Sequence, residues 1–169
     1  MLRAAAFAAR KHRDQRRKDA EASPYINHPL ELARVLAEVG GVTDAATLCA
    51  ALLHDTIEDT DTTRDELVRE FGAEIAALVG EVSDDKSLAK ADRKRMQVEH
   101  AATLSDKAKR VKLADKISNL SDVARSPPAD WSLERRREYF DWARSVIDRL
   151  RGVDATLEAA FDAAYLARP

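Results

Sequence analysis

The sequence predicts an all-α protein, a single domain over residues 1–169 built as a bundle of about eight to ten helices around one core. Apolar residues recur with helical spacing along almost the whole chain, and no convincing run alternates between apolar and polar residues. Alanine, leucine, glutamate and arginine are abundant, whereas glycine and proline occur only five times each. With 45% hydrophobic and 34% charged residues, the composition is typical of a globular domain.

The N-terminal quarter of the chain is predicted to hold two helices separated by a polar loop. The first is expected over about residues 2–14, and the loop over residues 15–27. Pro29 suits the first turn of the second helix, because proline tolerates that position. The second helix is expected to end at the pair Gly40–Gly41.

The remaining helices are predicted from capping residues and breaks. Asp44 caps a third helix, Thr63 and Glu66 have capping-box spacing, and Gly72 is placed to end the helix that they begin. A polar loop is expected over residues 83–89. Two further helices are expected over residues 73–82 and 91–103, and a third begins after a cap at Ser105. A long helix is expected from Ser132 to near Gly152, and the last helix begins at Asp154.

The overall charge and apolar content exclude several classes of partner. A net charge of −2 gives no global basic field, so we expect neither nucleic acid nor a membrane surface as partner, and scattered surface charge indicates no obligate protein partner. The lone Cys49 cannot form an internal disulfide and is expected to be buried. The basic, alanine-rich start is interpreted as a core helix rather than a transit peptide, so we expect a cytoplasmic protein.

The dipeptide His54–Asp55 follows the apolar run of residues 50–53 directly. Two ionisable groups at the end of a buried helix need partners, and a divalent cation is one of them. If the helix continues, Glu58 lies above His54 and Asp59 above Asp55. The alternative is a core histidine bonded to a neighbour, with the two later acids at a solvated helix end.

Two distant segments add candidate metal ligands. His28 begins the second helix, and Asp115 shares a face with Asn119 on an otherwise apolar helix. An aspartate in such a helix needs a partner, and the alternative to a metal is a salt bridge with a neighbouring lysine. With His54 and Asp55 these residues supply two imidazoles and two carboxylates, a set typical of manganese, iron or zinc.

Metal-dependent phosphohydrolase chemistry is what such a ligand set favours. A divalent cation acidifies water and polarises a phosphoryl oxygen, and four protein ligands leave positions open on an octahedral ion. Glu58 and Asp59 are then candidates to position the attacking water or to move its proton.

Basic residues flank these motifs. Arg17 and Lys18 lie on the loop leading to His28 and are expected to reach over the metal, where arginine and lysine bind phosphate. A second basic cluster also suits phosphates, although we expect at least half of it to be solvated surface: Lys86, Lys90, Arg93 and Lys94.

Together these segments resemble the histidine–aspartate (HD) superfamily of metal-dependent phosphohydrolases, and more closely its small alarmone hydrolases, the single-domain SpoT homologues. The similarity extends through almost the whole chain. The segments that carry it are residues 7–13, 16–19, 24–29, 50–63, 84–86, 111–119 and 138–140.

The resemblance implies an all-helical HD-domain fold and a specific reaction. That reaction is the Mn2+-dependent removal of pyrophosphate from the 3′ position of ppGpp or pppGpp, which degrades this stringent-response alarmone to GDP or GTP. Animal members are also described as removing the 2′-phosphate of NADPH. The chain has no room for a synthetase domain beside the hydrolase, so we expect a dedicated hydrolase.

The resemblance also implies roles for individual residues. The positions that match metal ligands are His28, His54, Asp55 and Asp115. The positions that match catalytic residues are Glu58 and Asp59. The positions that match substrate contacts are Arg17, Lys18, Lys90, Asn119 and Tyr139.

Three other interpretations remain open at this stage. The chain could be another HD-type nucleotide phosphohydrolase, including an NADPH 2′-phosphatase. It could be a catalytically silent nucleotide-binding sensor, although the acids Glu58 and Asp59 argue against that class. It could also be a helical scaffold in which the four ligand positions form core salt bridges.

Overall fold

The computed structural model describes residues 1–169, with ten α-helices, one π-helical segment, one 3₁₀ turn and no β-strand. The all-α class and the predicted helix count are therefore confirmed. The helices are α1 Leu2–Lys11, α2 Asn27–Arg34, α3 Ala45–Leu53, α4 Thr56–Asp59, α5 Arg64–Phe71, α6 Ala73–Val82, α7 Lys90–His100, α8 Asp106–Arg125, α9 Leu133–Ile147 and α10 Ala155–Tyr165. The π-helix Val35–Val39 continues α2, and the 3₁₀ turn Ala101–Thr103 continues α7.

The predicted helix starts are confirmed where a side chain caps the backbone. Each capping side chain accepts a hydrogen bond from the main-chain N–H three residues later, which satisfies one of the free donors of the first turn. The capping residues are Asp44, Thr63, Ser105, Ser132 and Asp154. Gly72, at φ 87°, separates α5 from α6, as expected of a residue that adopts this conformation without steric cost.

Several boundaries differ from the sequence expectation. Helix α1 ends at Lys11 rather than residue 14, and α2 starts at Asn27, two residues before Pro29. Helix α9 ends at Ile147 rather than near Gly152. After Ile147 the main chain forms tight i→i−3 hydrogen bonds, from Leu150 N–H to Ile147 among others. This turn directs the Leu150 side chain, which is 1% exposed, into the core.

Helices α3 and α8 form the centre of the molecule. Helix α8, the longest at 20 residues, contacts α2, α3, α6, α9 and α10. Helix α3 is buried at every position from Thr47 to Leu53, including the free Cys49. The buried apolar side chains form one cluster of 32 residues. The elements that carry His54 and Asp115 are therefore held in place by core contacts.

A tight contact closes the π-helix against the C-terminal helix. A Cβ on Gly40 would lie 2.9 Å from the Leu36 carbonyl oxygen and 3.0 Å from Cγ of Leu157. Only a residue without a side chain lets α10 approach this closely. None of the helices combines the length and the apolar composition needed to cross a membrane.

Candidate metal centre and substrate cavity

The helix that leads to the His54–Asp55 pair breaks at that pair. Helix α3 ends at Leu53, and Asp55 has φ −96° and ψ 0°, before the single turn α4 begins. Thr56 Oγ1 donates to the Leu53 carbonyl at 2.7 Å, which satisfies a carbonyl group freed by the break. The uninterrupted helix considered from the sequence is therefore absent. Asp59 still lies one turn after Asp55, since its N–H donates to the Asp55 carbonyl at 2.8 Å.

Three predicted ligands converge from three separate elements. One side-chain ligand atom from each of His28, His54 and Asp115 lies within 4.8 Å of the others, and all three residues are buried. His54 Nδ1 donates to the Ala51 carbonyl at 2.8 Å, and His28 Nδ1 lies 3.2 Å from Ser118 Oγ. These bonds turn both Nε2 atoms inward, where His28 Nε2 is 3.3 Å from Asp115 Oδ1.

Asp55 stands beside this cluster and not within it. Its Oδ2 lies 2.8 Å from His54 Nε2. The geometry does not suit a hydrogen bond, so the buried Nε2 of His54 has no hydrogen-bond partner. An inward nitrogen that is buried, unpartnered and adjacent to carboxylate oxygens fits a divalent cation.

The surroundings of the imidazoles and carboxylates shift their pKa values in different directions. Burial lowers the pKa of His28. Burial is also the largest single effect on His54, but the negative charges of Asp55 and Asp115 and the bond to the Ala51 carbonyl together outweigh it and raise the His54 pKa. In Asp55, burial is likewise outweighed by the neighbouring His54, and the pKa lies below its usual range. The Asp55 carboxylate is therefore ionised, as a ligand of a cation must be.

The predicted alternative for Asp115, a salt bridge with a neighbouring lysine, is present in the structure. Lys116 Nζ donates to Asp115 Oδ2 at 2.8 Å, and Lys116 is only 3% exposed. Asn119 Nδ2 donates to the other oxygen, Oδ1, at 2.6 Å. Although burial opposes ionisation, Lys116 and His28 hold the pKa of Asp115 well below its usual value. The salt bridge fixes the carboxylate without turning Oδ1 away from the histidines.

Glu58 and Asp59 lie beside the same cluster, each with its own partners. The main-chain N–H of Asp84 donates to Glu58 Oε2 at 3.2 Å, and Arg93 Nη1 lies 3.6 Å from Oε1. Burial, followed by the negative charge of Asp84, raises the pKa of Glu58. Lys86 contacts the carboxylate of Asp59. A cavity of about 180 Å³ brings both acids together with the four candidate ligands, Arg17 and Asn119.

Tyr25 is a site residue to which the sequence interpretation gave no role. Its hydroxyl donates to Asp55 Oδ2 at 2.5 Å and lies 3.4 Å from Asp59 Oδ2. Burial and the charge of Asp55 raise the pKa of Tyr25, so the phenol stays protonated and acts as a donor. The sequence signals were its place three residues before His28 and within residues 24–29, one of the segments that carry the family resemblance.

Arg17 reaches the metal side of the site, as expected, and is held there by two acceptors. Its Nη2 donates to Asn119 Oδ1 at 3.1 Å and to Asp122 Oδ2 at 2.7 Å. Lys18 lies further out, in an adjoining cavity of about 340 Å³ that Arg17, Asn119 and Tyr139 also line. These predicted substrate contacts therefore share one region.

The largest cavity, about 510 Å³, opens next to the acids and combines cations with aromatic rings. Its predicted members include Lys18, Lys90 and Tyr139. The sequence interpretation missed the aromatic and arginine residues that complete it: Trp131, Arg135 and Trp142. Tyr139 lies between the two tryptophans, with ring centroids 5.3 and 5.4 Å away. The Arg135 guanidinium lies 4.7 Å from the Trp131 ring centroid.

Comparisons with known proteins place these residues in a family context. The HD domain family matches residues 4–141. The chain is 57% identical over 160 residues to guanosine-3′,5′-bis(diphosphate) 3′-pyrophosphohydrolase MESH1 of Homo sapiens, covering 95% of this chain and 89% of that protein. The Xenopus tropicalis protein of the same name is 54% identical over 166 residues, covering 98% of this chain and 93% of that protein.

A solved structure is similar over nearly its whole length. It has a TM-score of 0.96 and 46% sequence identity, and the match covers 99% of this chain and 94% of that one. That protein is described as a metazoan ortholog of SpoT that hydrolyzes ppGpp and plays a role in starvation responses.

Proposed function

This chain belongs to the HD-domain family, and on that premise we propose that it is a metal-dependent guanosine-3′,5′-bis(diphosphate) 3′-pyrophosphohydrolase. It hydrolyses ppGpp and pppGpp to GDP and GTP, with release of pyrophosphate. The observation that carries the proposal is the unpartnered, inward Nε2 of His54 in the His28–His54–Asp115 cluster. This cluster lies beside cavities lined by lysines, arginines and aromatic rings. The curated relatives named above carry this activity in their names.

The metal in this proposal is Mn2+, held by His28, His54, Asp55 and Asp115. Imidazole nitrogen and carboxylate oxygen together, without thiolate, suit manganese, iron or zinc, and the family resemblance favours manganese among them. When bound, the cation supplies a Lewis acid that acidifies water and polarises a phosphoryl oxygen. The Ala51 carbonyl keeps the proton of His54 on Nδ1 and leaves Nε2 free to coordinate.

Glu58 is proposed as the proton acceptor for the attacking water. Its raised pKa suits a general base, because a base is most effective when its pKa approaches the working pH. The water oxygen bonds to the phosphorus attached to the ribose 3′ oxygen, and the bond between that phosphorus and the 3′ oxygen breaks. The water proton goes to a Glu58 carboxylate oxygen, which later releases it to solvent, and the 3′ oxygen takes up a proton from solvent water as it leaves. Asp59 positions the water from the adjoining side.

The substrate contacts follow from the charges of the cavities. Lys18 and Lys90 are proposed to bind the phosphates, and Arg17 and Asn119 the ribose-phosphate side. Tyr139 and Trp131 offer ring faces on which a base stacks, and Arg135 already lies over one of them.

The decisive experiment measures pyrophosphate and GDP formed from ppGpp by the Mn2+-loaded protein. Asp55→Ala and Glu58→Ala should each lower kcat by at least about 100-fold, the range for loss of a general base or of the metal. Glu38→Ala is the matched control, because that glutamate is 65% exposed and pairs only with Arg34. Normal turnover by both site variants would contradict the mechanism.

NADPH 2′-phosphate hydrolysis is a second candidate activity. The lysines and arginines of the cavities suit phosphate groups, and the aromatic rings suit stacking with a base. NADPH, like ppGpp, contains a phosphorylated ribose and a purine. Kinetics with ppGpp, NADPH and deoxynucleotides side by side rank these substrates by kcat/KM. A clear preference for a deoxynucleotide would contradict the proposed substrate, and tight ppGpp binding without product under any divalent metal would indicate a sensor.

A further inference from the structure

Tyr25 joins two acids that have different roles in the proposed reaction. Its hydroxyl lies 2.5 Å from Oδ2 of Asp55, a proposed metal ligand, and 3.4 Å from Oδ2 of Asp59, a proposed catalytic residue. We propose that Tyr25 is a positioning residue that holds the Asp55 carboxylate in its metal-binding orientation and fixes Asp59 relative to it. This inference rests on the proposed function.

The break between α3 and α4 explains why such a residue is needed. Asp55 sits in the turn after His54, outside a continuous helix, so its main chain is held less regularly than that of a helical residue and its side chain needs a contact of its own. Helix α4 has only four residues, and a single turn of helix is unstable without outside contacts. The main-chain bond from the Asp59 N–H to the Asp55 carbonyl joins the two residues but leaves their side chains free. A hydrogen bond from another segment of the chain is therefore the contact that can set how the two carboxylates lie relative to each other.

The Tyr25 ring is itself held in place on several sides. It lies against His12, with ring centroids 4.8 Å apart, and meets His28 edge-on at 6.1 Å. The Arg17 guanidinium lies 5.8 Å from the ring centroid. These contacts fix the ring, so its hydroxyl is a preorganised donor and not a mobile surface group.

The main chain of Asp59 is held from the same side. Gln15 Nε2 donates to the Asp59 carbonyl at 2.5 Å. Its Oε1 accepts from Nδ1 of His12, which is 2% exposed, at 2.7 Å. His12, Gln15 and Tyr25 thus form one layer behind the acids, in which Tyr25 fixes side chains and Gln15 fixes backbone.

The two contacts predict separable effects. Without the Tyr25 hydroxyl, Asp55 Oδ2 loses the hydrogen bond that orients it, so Mn2+ affinity and kcat should each fall by about 10- to 100-fold, as for other partners of metal ligands. The KM for ppGpp should change much less, because the lysines and aromatic rings of the large cavity are untouched. Loss of the Gln15 amide should lower kcat while leaving Mn2+ affinity within about twofold, since it contacts Asp59 and not Asp55.

The experiment compares Tyr25→Phe and Gln15→Met with the parent chain. Calorimetric titration of the metal-free protein with Mn2+ gives the affinity, and steady-state hydrolysis of ppGpp at saturating Mn2+ gives kcat and KM. Tyr165→Phe is the matched control, because it also removes a hydroxyl donor to a carboxylate, Asp141, but on α10 away from the site. It should leave all three quantities unchanged.

The outcomes separate this inference from the proposed function. Unchanged Mn2+ affinity in a folded Tyr25→Phe protein overturns the positioning role, whatever its turnover. A different outcome is that the parent protein fails to cleave ppGpp while Tyr25→Phe binds Mn2+ more weakly than the parent does. That result supports the positioning of Asp55 and overturns the proposed substrate. If Tyr25→Phe does not fold, Gln15→Met tests the layer of His12, Gln15 and Tyr25 behind the acids. A lower kcat with normal Mn2+ affinity supports the positioning role of this layer, and a normal kcat overturns it.

Discussion

At the scale of single residues, neighbouring carboxyl groups in this site differ in how easily they take up a proton. The imidazoles and Lys116 keep Asp55 and Asp115 ionised despite burial. Glu58 has the opposite shift, because burial and then the charge of Asp84 favour its protonated form. The lowered pKa values suit Asp55 and Asp115 to bind a cation, and the raised pKa suits Glu58 to exchange protons.

The raised pKa of Glu58 predicts a pH dependence that Asp84 controls. A base works only when deprotonated, so kcat/KM should fall as the pH drops through the Glu58 pKa. Asp84→Asn removes a negative charge that raises this pKa, and the acidic limb of the profile should move to lower pH. The amide still has an oxygen that can accept the 2.5 Å bond from Gln97.

The control for this prediction is Asp85→Asn. The carboxylate of Asp85 accepts from the N–H of Ser87 on the exposed side of the loop and is not among the groups that shift Glu58. Profiles of kcat/KM against pH for the three proteins test the idea. Equal displacement of the acidic limb in both variants, or none in Asp84→Asn, would show that Asp84 does not set it.

At the scale of helices, local signals predicted the starts, and tertiary contacts decided the rest. A cap such as Asp44 or Ser105 involves residues three apart, so sequence alone identifies it. The close approach between Gly40, at the end of the π-helix, and Leu157 of α10 joins positions 117 residues apart, which periodicity does not reveal. The break at His54–Asp55 is likewise absent from the apolar pattern, which continues without interruption up to it.

Two glycines, Gly40 just after the π-helix and Gly80 within α6, should respond in opposite ways to the same substitution. Gly40→Ala places Cβ 2.9 Å from the Leu36 carbonyl and 3.0 Å from Leu157. It should therefore lower the free energy of unfolding by about 1–3 kcal/mol, the usual cost of overfilling a core. Urea denaturation followed by circular dichroism measures this change.

Gly80→Ala is the matched partner. A Cβ at this position within α6 meets no atom within 4 Å. Alanine restricts the unfolded chain more than glycine does, so the free energy of unfolding of this variant should rise by about 0.5–1 kcal/mol. A loss of stability at residue 80, or none at residue 40, would contradict the contacts described for the two helices.

At the scale of the whole molecule, the site is assembled from segments that are far apart in the chain. The sequence could indicate His54, Asp55 and Asp115, because ionisable groups beside apolar residues are locally visible, whereas His28 was indicated by its place at the start of a helix and by the family resemblance. It could not indicate the large cavity, whose aromatic residues Trp131 and Trp142 resemble ordinary core residues in sequence. Trp142 reaches α7 through the contact between α7 and α9, and Trp131 lies in the segment just before α9.

Because the proposed ligands come from α2, the α3–α4 turn and α8, a bound cation should stabilise the whole fold. Binding only to the folded state adds about 4 kcal/mol at a metal concentration 1,000 times the Kd. The Tm of the metal-free protein should therefore rise when Mn2+ is added. A chelator added afterwards should bring the Tm back to its metal-free value.

Asp115→Asn should abolish the shift with Mn2+, because it removes a ligand charge without changing side-chain size. Asp148→Asn is the control, since that carboxylate is 49% exposed and pairs only with surface arginines. A Tm that does not respond to Mn2+ in the parent chain would speak against the metal site and favour a scaffold held by core salt bridges.

The two tryptophans of the chain, Trp131 and Trp142, both line the large cavity. All of the protein's indole fluorescence therefore originates where the substrate is proposed to bind. A guanine or adenine ring that stacks there should quench this emission, whereas events elsewhere on the surface should leave it unchanged. The enzyme thus carries an intrinsic optical probe of occupancy, which makes rapid-mixing studies of nucleotide arrival and product departure feasible without a label.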